Sequence, residues 1–287
     1  MSTLDHRLHA YRDGLADKRL QDRVEASAFV DGTLKQVRIA VAPLYRQGSE
    51  EAAIDSEVLF GETLRVFEER DGWAWCQAEL DDYVGYVPSS ALSETIHVAT
   101  HRVTALLTPL YPKAELRRPP VQRLSFGSRV AIVGSETVRD LDYAVLADGS
   151  AVAASHLLPI ADSIKTDFVS VCERFIGLPY VWAGRSSLGI DCSGLLQLAM
   201  MMTGPCPLRD SDMQETSVGS ALDLSNGLPL LQRGDLIFWK GHVGVASDPD
   251  TVLHASGRTM TVLEDPLIEM VERLKGKGLP VTTVRRP

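Results

Sequence analysis

Among the four cysteines of this 287-residue sequence, Cys192 has the setting of a nucleophile. It lies in Asp191-Cys192-Ser193-Gly194, where a Gly-containing segment from Tyr180 runs into the apolar stretch Ser193–Met202, whose spacing predicts a helix. A thiol on the first turn of a helix faces unpaired N–H groups and the positive end of the macrodipole, which favour the thiolate. The same N–H groups could hold an oxyanion as a tetrahedral intermediate forms. Cys76, Cys172 and Cys206 lack this context and read as structural thiols.

A thiol nucleophile needs a base, most often histidine. Of the seven histidines, His6, His9, His97, His101 and His156 lie in the N-terminal part of the chain, and only His242 and His254 follow Cys192. Both fall on predicted strands either side of the turn Ser247–Asp250. A hairpin centred near residue 248 sets the two histidines approximately opposite each other, and pairing within one residue of register brings them onto one face. His242 is then the base, and His254 orients its imidazole in the place more often held by Asn or Asp. The residues alone leave two alternatives open. The pair could be satisfied structural histidines, or Cys192, His242 and His254 could hold zinc, although no short ligand spacing supports a metal.

The elements that must position these residues begin near Asp162. Asp167–Ile176 has helical apolar spacing and stops at Gly177-Leu178-Pro179, while Leu236–Trp239, His242–Ala246 and Val252–Ala255 are short apolar strands separated by turns. Helices first and strands afterwards predict an α+β domain over residues 161–287. Upstream lies an internal repeat. Val37–Tyr45 and Val103–Tyr111 match at a shift of 66 residues and end in the same Pro-Leu-Tyr, and Phe60-Gly61 recurs as Phe126-Gly127. Ser90-Ala91-Leu92 and Ser155-His156-Leu157 follow at a shift of 65. These anchors predict two tandem all-β domains, residues 31–96 and 97–160, after an N-terminal helical extension over residues 1–30.

The bulk numbers limit the partners. A net charge of −9 and the absence of a basic cluster argue against nucleic acid or an anionic envelope and favour a small or zwitterionic substrate. No apolar run is long enough to span a membrane, and the first residues hold no secretory apolar core. Four cysteines without paired spacing suit reduced thiols. The expectation is a cytoplasmic protein with no membrane partner and no cofactor.

Several segments carry a family resemblance. "FGE", "DGWAWCQ" and "YVGYVPSSAL" resemble the core strands and closing turn of bacterial SH3-like domains. "GLPYVWAGRSSLGIDCSGLLQLA", "LRDSDMQ", "LQRGDLIFW", "GHVGVA" and "VLHASG" occur in the order found in the NlpC family of bacterial cell-wall cysteine peptidases, a papain-like group. The resemblance implies a papain-like peptidase domain preceded by two small SH3-like barrels, with Cys192 as nucleophile, His242 as base and His254 as the third, polar residue. With two SH3-like copies it narrows to enzymes that cut the γ-D-glutamyl–diaminopimelate bond of free murein peptides beginning with L-Ala, in cell-wall peptide recycling. In that subgroup the first SH3-like domain walls the cleft and helps to bind the free α-amine. The resemblance carries Asp191, Ser193, Asp210, Ser211 and Tyr83 over as substrate-binding residues, together with one acidic residue, Asp55 or Glu57. Asp210-Ser211 also reads as a helix cap ahead of Met213-Gln214. Other classes stay open: a hydrolase of intact wall, an amidase or acyltransferase on the same scaffold, and a non-catalytic wall-peptide binding module, which an unreactive thiol would favour.

Overall fold

The computed structural model describes residues 4–287 and divides into two units, one up to Asp162 and one from Ser163 to Pro287.

In the first unit the repeat is visible in the backbone hydrogen bonds. Gly61 N–H donates to the Val37 carbonyl at 2.9 Å, and Gly127 N–H donates to the Val103 carbonyl at 2.9 Å, 66 residues further on. Both glycines have positive φ, +79° and +86°, a conformation that costs other residues about 1–2 kcal/mol. The Phe-Gly recurrence therefore marks one turn used twice. Each copy also closes with a one-turn 3-10 helix, Ser89–Ala91 and Ala154–His156. The first copy is a seven-stranded sheet spanning Thr33–Ser93, and the second is built from three smaller sheets between His101 and Pro159.

The N-terminal helical extension expected over residues 1–30 is corrected. Its described residues form short strands at Tyr11–Arg12, Leu15–Asp17 and Ala28–Val30, with only a one-turn 3-10 helix at Lys18–Leu20. Asp13-Gly14 reverses the chain between the first two strands, and Asp22 at φ 66° interrupts any helical continuation. The segment packs on the first copy: Ala10 joins Phe67 and Trp75 in a small core, and the Arg12 guanidinium lies 4.4 Å from the centre of the Trp75 ring.

The second unit is α+β. Helix α1 (Phe168–Glu173) packs on α2 (Cys192–Thr203), followed by the short α3 (Ser211–Ser217). A six-stranded antiparallel sheet comprises β1 (Ser220–Ala221), β2 (Leu236–Trp239), β3 (His242–Asp248), β4 (Thr251–Ser256), β5 (Thr261–Pro266) and β6 (Val281–Arg286). The spatial order is β1-β6-β2-β3-β4-β5. Helix α4 (Leu267–Lys275) leaves β5 directly and buries Leu267 and Met270 against Ile237, Trp239, Ala246, Val252 and Val284. Helix α2 is buried on nearly every side, with Leu195, Leu196, Leu198, Ala199, Met201 and Met202 all in the core, and it packs on β3 and β4. That packing holds the start of α2 against the start of β3, where the two principal candidate side chains lie.

Candidate active site

Asp191 sets the start of α2. Its carboxylate accepts the Gly194 N–H at 2.7 Å, an N-cap that satisfies one orphan donor. Arg209 donates to both Asp191 oxygens, at 3.0 and 2.8 Å, and to Ser193 Oγ at 2.8 Å. This bidentate pair is buried, with Arg209 only 1% exposed. Gly194 completes the junction, because a Cβ there would lie 2.4 Å from the Gly184 carbonyl oxygen. The glycine of the Asp-Cys-Ser-Gly segment thus lets the helix start approach the preceding loop.

Cys192 is half-buried at the first position of the helix. Its sulfur receives backbone N–H groups from Ser193 and from Val243, the residue that follows His242. Burial pushes the thiol up to about 12, and the nearby Asp191 carboxylate adds to this; the Val243 amide, Arg209 and the Ser193 amide oppose it. The expectation that a helix start favours a resting thiolate is corrected here: desolvation and Asp191 outweigh the helix terminus. Tyr180 faces the same region. Burial first, and then the neighbouring Cys192 and Asp191, push its phenol up to about 12, which keeps it a neutral donor.

The histidine pair lies on β3 and β4, the strands against which α2 packs. His242 Nε2 and His254 Nδ1 are 2.9 Å apart, with the rings nearly perpendicular at 82°. The strands pair Val245 with Leu253 and Ala246 with Val252, so continuing that register sets His254 across from Gly244. The approximate opposition expected from the turn is therefore corrected to a diagonal, displaced by two residues, because the hairpin closes at Asp248–Thr251 and not around residue 248; an irregularity between Ala246 and Asp248 takes back one residue of that offset. The two side chains still share a face, and the contact is made. Burial holds His242 down at about 3, reinforced by His254 and Arg273. His254, 3% exposed, is also held below its usual value by burial, although Asp265 pulls the other way.

Asp265 was not legible as a site residue. It sits on β5, and its Oδ2 lies 3.4 Å from His254 Nε2 and 2.7 Å from an Arg273 nitrogen. Burial alone would raise its carboxyl, but Arg273 and His254 hold it below the usual range. A cavity of about 150 Å³ beside the pair is lined by His242, His254, Arg258, Arg273 and Lys277 among others. Three of the four ring nitrogens of the pair are turned on each other or on Asp265, and among the described residues no group of His, Cys, Asp and Glu is arranged to hold a metal.

The remaining expected binding residues separate. Asp191 and Ser193 are engaged with Arg209 and shape the junction. Asp210 occupies the N-cap position of α3, but its side chain makes no capping bond, and Ser211 is the first residue of that helix. Gln214, fully buried, donates to the Ser193, Leu208 and Arg209 carbonyls and ties α3 to the start of α2. Tyr83, Asp55 and Glu57 belong to the first unit. There Tyr83 is buried with its amide bonded to Asp81, and Asp55 is paired with Arg46 at 2.7 Å.

This combination of a thiol at a helix start and a histidine pair on an antiparallel sheet defines a papain-like thiol site, in a domain that follows the SH3-like barrels in the chain. Residues 177–274 match the NlpC/P60 family and residues 44–92 match the bacterial dipeptidyl-peptidase SH3 domain, so the chain carries an NlpC/P60 domain behind a bacterial SH3 domain. Among relatives, it is 26% identical over 235 residues to dipeptidyl-peptidase 6 of Lysinibacillus sphaericus, covering 75% of this chain and 85% of that protein. It is 26% identical over 231 residues to the γ-D-glutamyl-L-lysine dipeptidyl-peptidase of Bacillus subtilis, covering 73% and 75%. An NlpC/P60 family protein from Bacillus cereus has the same fold, with a TM-score of 0.72, 19% identity, and coverage of 88% of this chain and 99% of that one.

Proposed function

We propose that this chain is a cysteine endopeptidase that hydrolyses the γ-D-glutamyl–L-diamino acid bond of free murein stem peptides bearing an N-terminal L-Ala, within cell-wall peptide recycling. The observation that carries the reading is the placement of Cys192 Sγ on the Val243 amide, next to His242, whose Nε2 is engaged by His254 at 2.9 Å. That engagement leaves Nδ1 of His242 for the thiol. Nδ1 takes the Cys192 proton as sulfur attacks the γ-carbonyl of the D-Glu residue, and the oxyanion forms beside the helix-start amides and the Tyr180 phenol. The imidazolium then returns its proton to the departing amine of the diamino acid, leaving a thioester. Water, deprotonated by His242, cleaves the thioester and restores the thiol.

The names of the relatives support cleavage that releases a dipeptide, here L-Ala-D-Glu. For the substrate ammonium we assign Asp210 and Ser211 at the head of α3, since a desolvated ammonium needs carboxylate and hydroxyl acceptors. A cytoplasmic setting is supported by the net charge of −9 and by four free thiols.

The test is incubation of the purified protein with L-Ala-γ-D-Glu-diaminopimelate, its L-Lys counterpart, their N-acetylated forms and intact wall, with products read by mass spectrometry. The free-amine peptides release L-Ala-D-Glu, and the acetylated forms and wall resist. Cleavage of wall in preference to free peptide, or no cleavage by folded protein, removes the reading.

A further inference from the structure

We propose that Asp265, anchored by Arg273, is a positioning residue that fixes the tautomers of His254 and then of His242, leaving Nδ1 of His242 as its unprotonated nitrogen. The proposal rests on the reading of Cys192 and His242 as nucleophile and base, and it adds a fourth side chain to that set.

Asp265 Oδ2 receives Arg273 at 2.7 Å, and the Arg258 guanidinium lies 3.7 Å away. With two guanidinium groups against it the carboxylate is ionised, and an ionised carboxylate can only accept. His254 Nε2, 3.4 Å from the same oxygen, must therefore carry the hydrogen. This bond is long, as bonds in resting catalytic sites often are. Burial keeps the His254 ring neutral, so its Nδ1 is bare and accepts. The only partner across 2.9 Å is His242 Nε2, which must then donate. His242 is neutral as well, so its Nδ1 holds a lone pair. One carboxylate thus sets four nitrogen sites in a row.

The strand geometry serves this order. His254 pairs directly with Leu263 on β5, while Asp265 pairs with Val252, two positions away. His242 and His254 are displaced by the same two positions across β3 and β4. Three polar side chains on three adjacent strands are thereby staggered along one diagonal. The charged groups facing the pair are Asp265 from β5, Arg258 from the β4–β5 turn, Arg273 from α4, and Lys277 just beyond it. Their excess of positive charge opposes protonation of either ring. Without Asp265, His254 is free to carry its hydrogen on Nδ1. It would then donate to His242 Nε2 and force the His242 hydrogen onto Nδ1, where it blocks proton transfer from Cys192.

The experiment is ring ¹⁵N–¹H correlation spectroscopy of the full chain with labelled histidine, without substrate, alongside steady-state kinetics of Asp265→Asn and Asp265→Glu. In the wild-type protein both rings carry their hydrogen on Nε2. Asp265→Asn mixes the tautomers of His254 and His242 and lowers kcat about 10- to 100-fold with little change in KM, the size expected for loss of an outer orienting partner. Asp265→Glu restores part of both. A hydrogen on Nδ1 of either ring in the wild-type protein overturns the proposal, even if the variants do not fold. Unchanged tautomers in Asp265→Asn overturn it too, whatever happens to kcat. Because the spectra need no substrate, failure to cleave murein peptides leaves this result standing on its own.

Discussion

His242 Nε2 meets His254 Nδ1 at 2.9 Å although continuing the pairing register sets Gly244, not His242, opposite His254. The diagonal is possible because Gly244 has no side chain. A Cβ there would lie 2.4 Å from Val252 Cγ1 and 3.8 Å from the His254 Cβ. Gly244→Ala therefore forces β3 and β4 apart where the pair must meet. Overpacking of this kind costs about 1–3 kcal/mol. Thermal unfolding should report that loss, and turnover should fall further than the population of folded protein. Wild-type stability in Gly244→Ala would show that the strands separate without strain.

The pair also predicts what His254 can be exchanged for. His242 Nε2–H needs an acceptor, not a second base, so His254→Asn retains measurable activity through its amide oxygen. His254→Leu removes the acceptor and loses on the order of 100-fold or more in kcat, within the range attributed to a positioned proton-transfer group. Equal kinetics for the two variants would remove the acceptor role.

Burial holds both partners of the proposed proton transfer toward their neutral forms. His242, held down at about 3, stays unprotonated on acidification well below the usual histidine range, and Cys192, pushed up to about 12, stays a thiol on the alkaline side. The value of kcat/KM should then be nearly flat from pH 5 to 9. An ordinary histidine base near 6.5 would lose about twentyfold between pH 7 and 5. Alkylation of Cys192 by iodoacetamide in the resting protein should be slower at pH 7 than that of a free cysteine and rise about tenfold per pH unit. Slow alkylation is therefore compatible with an active enzyme, and turnover alone separates peptidase from binding module. An acid limb near 6.5 would refute the neutral resting pair.

Arg209 is the buried cation on which the helix start depends. Arg209→Met removes the partner of Asp191 and the donor to Ser193 Oγ and leaves a nearly buried carboxylate. Breaking one side of such a pair costs about 3–5 kcal/mol, which denaturant unfolding of the variant measures. Asp191→Asn with Arg209→Met should recover part of the loss, because no unpaired charge then remains. No recovery in the double variant would mean that packing, and not charge, carries the Arg209 contribution.

Much of this protein was legible in the sequence because local rules were strong there. The Phe-Gly recurrence at a fixed shift exposed the two SH3-like copies, since a positive-φ turn admits little besides glycine. Cys192 at the start of an apolar run and two histidines flanking one turn pointed to the residues proposed as nucleophile, base and orienter. The N-terminal extension reads as helical because its residues tolerate helix, whereas its Asp-Gly turn and its docking onto Phe67 and Trp75 favour short strands.

What the sequence alone determined was which side chains could react and the period-2 and period-3.6 patterns that set them on particular faces. Tertiary structure decided three further things. It chose the diagonal register of the two histidines, which depends on where the hairpin closes and on a local irregularity beside the turn. It set the burial and neighbouring charge that push the Cys192 thiol up and the His242 imidazole down. It also recruited Asp265 and Arg273, which have no motif and reach His254 only because β5 pairs with β4 and hands directly into α4. Spacing in a chain reports periodicity; desolvation and long-range pairing exist only once the sheet and helices have closed around the site.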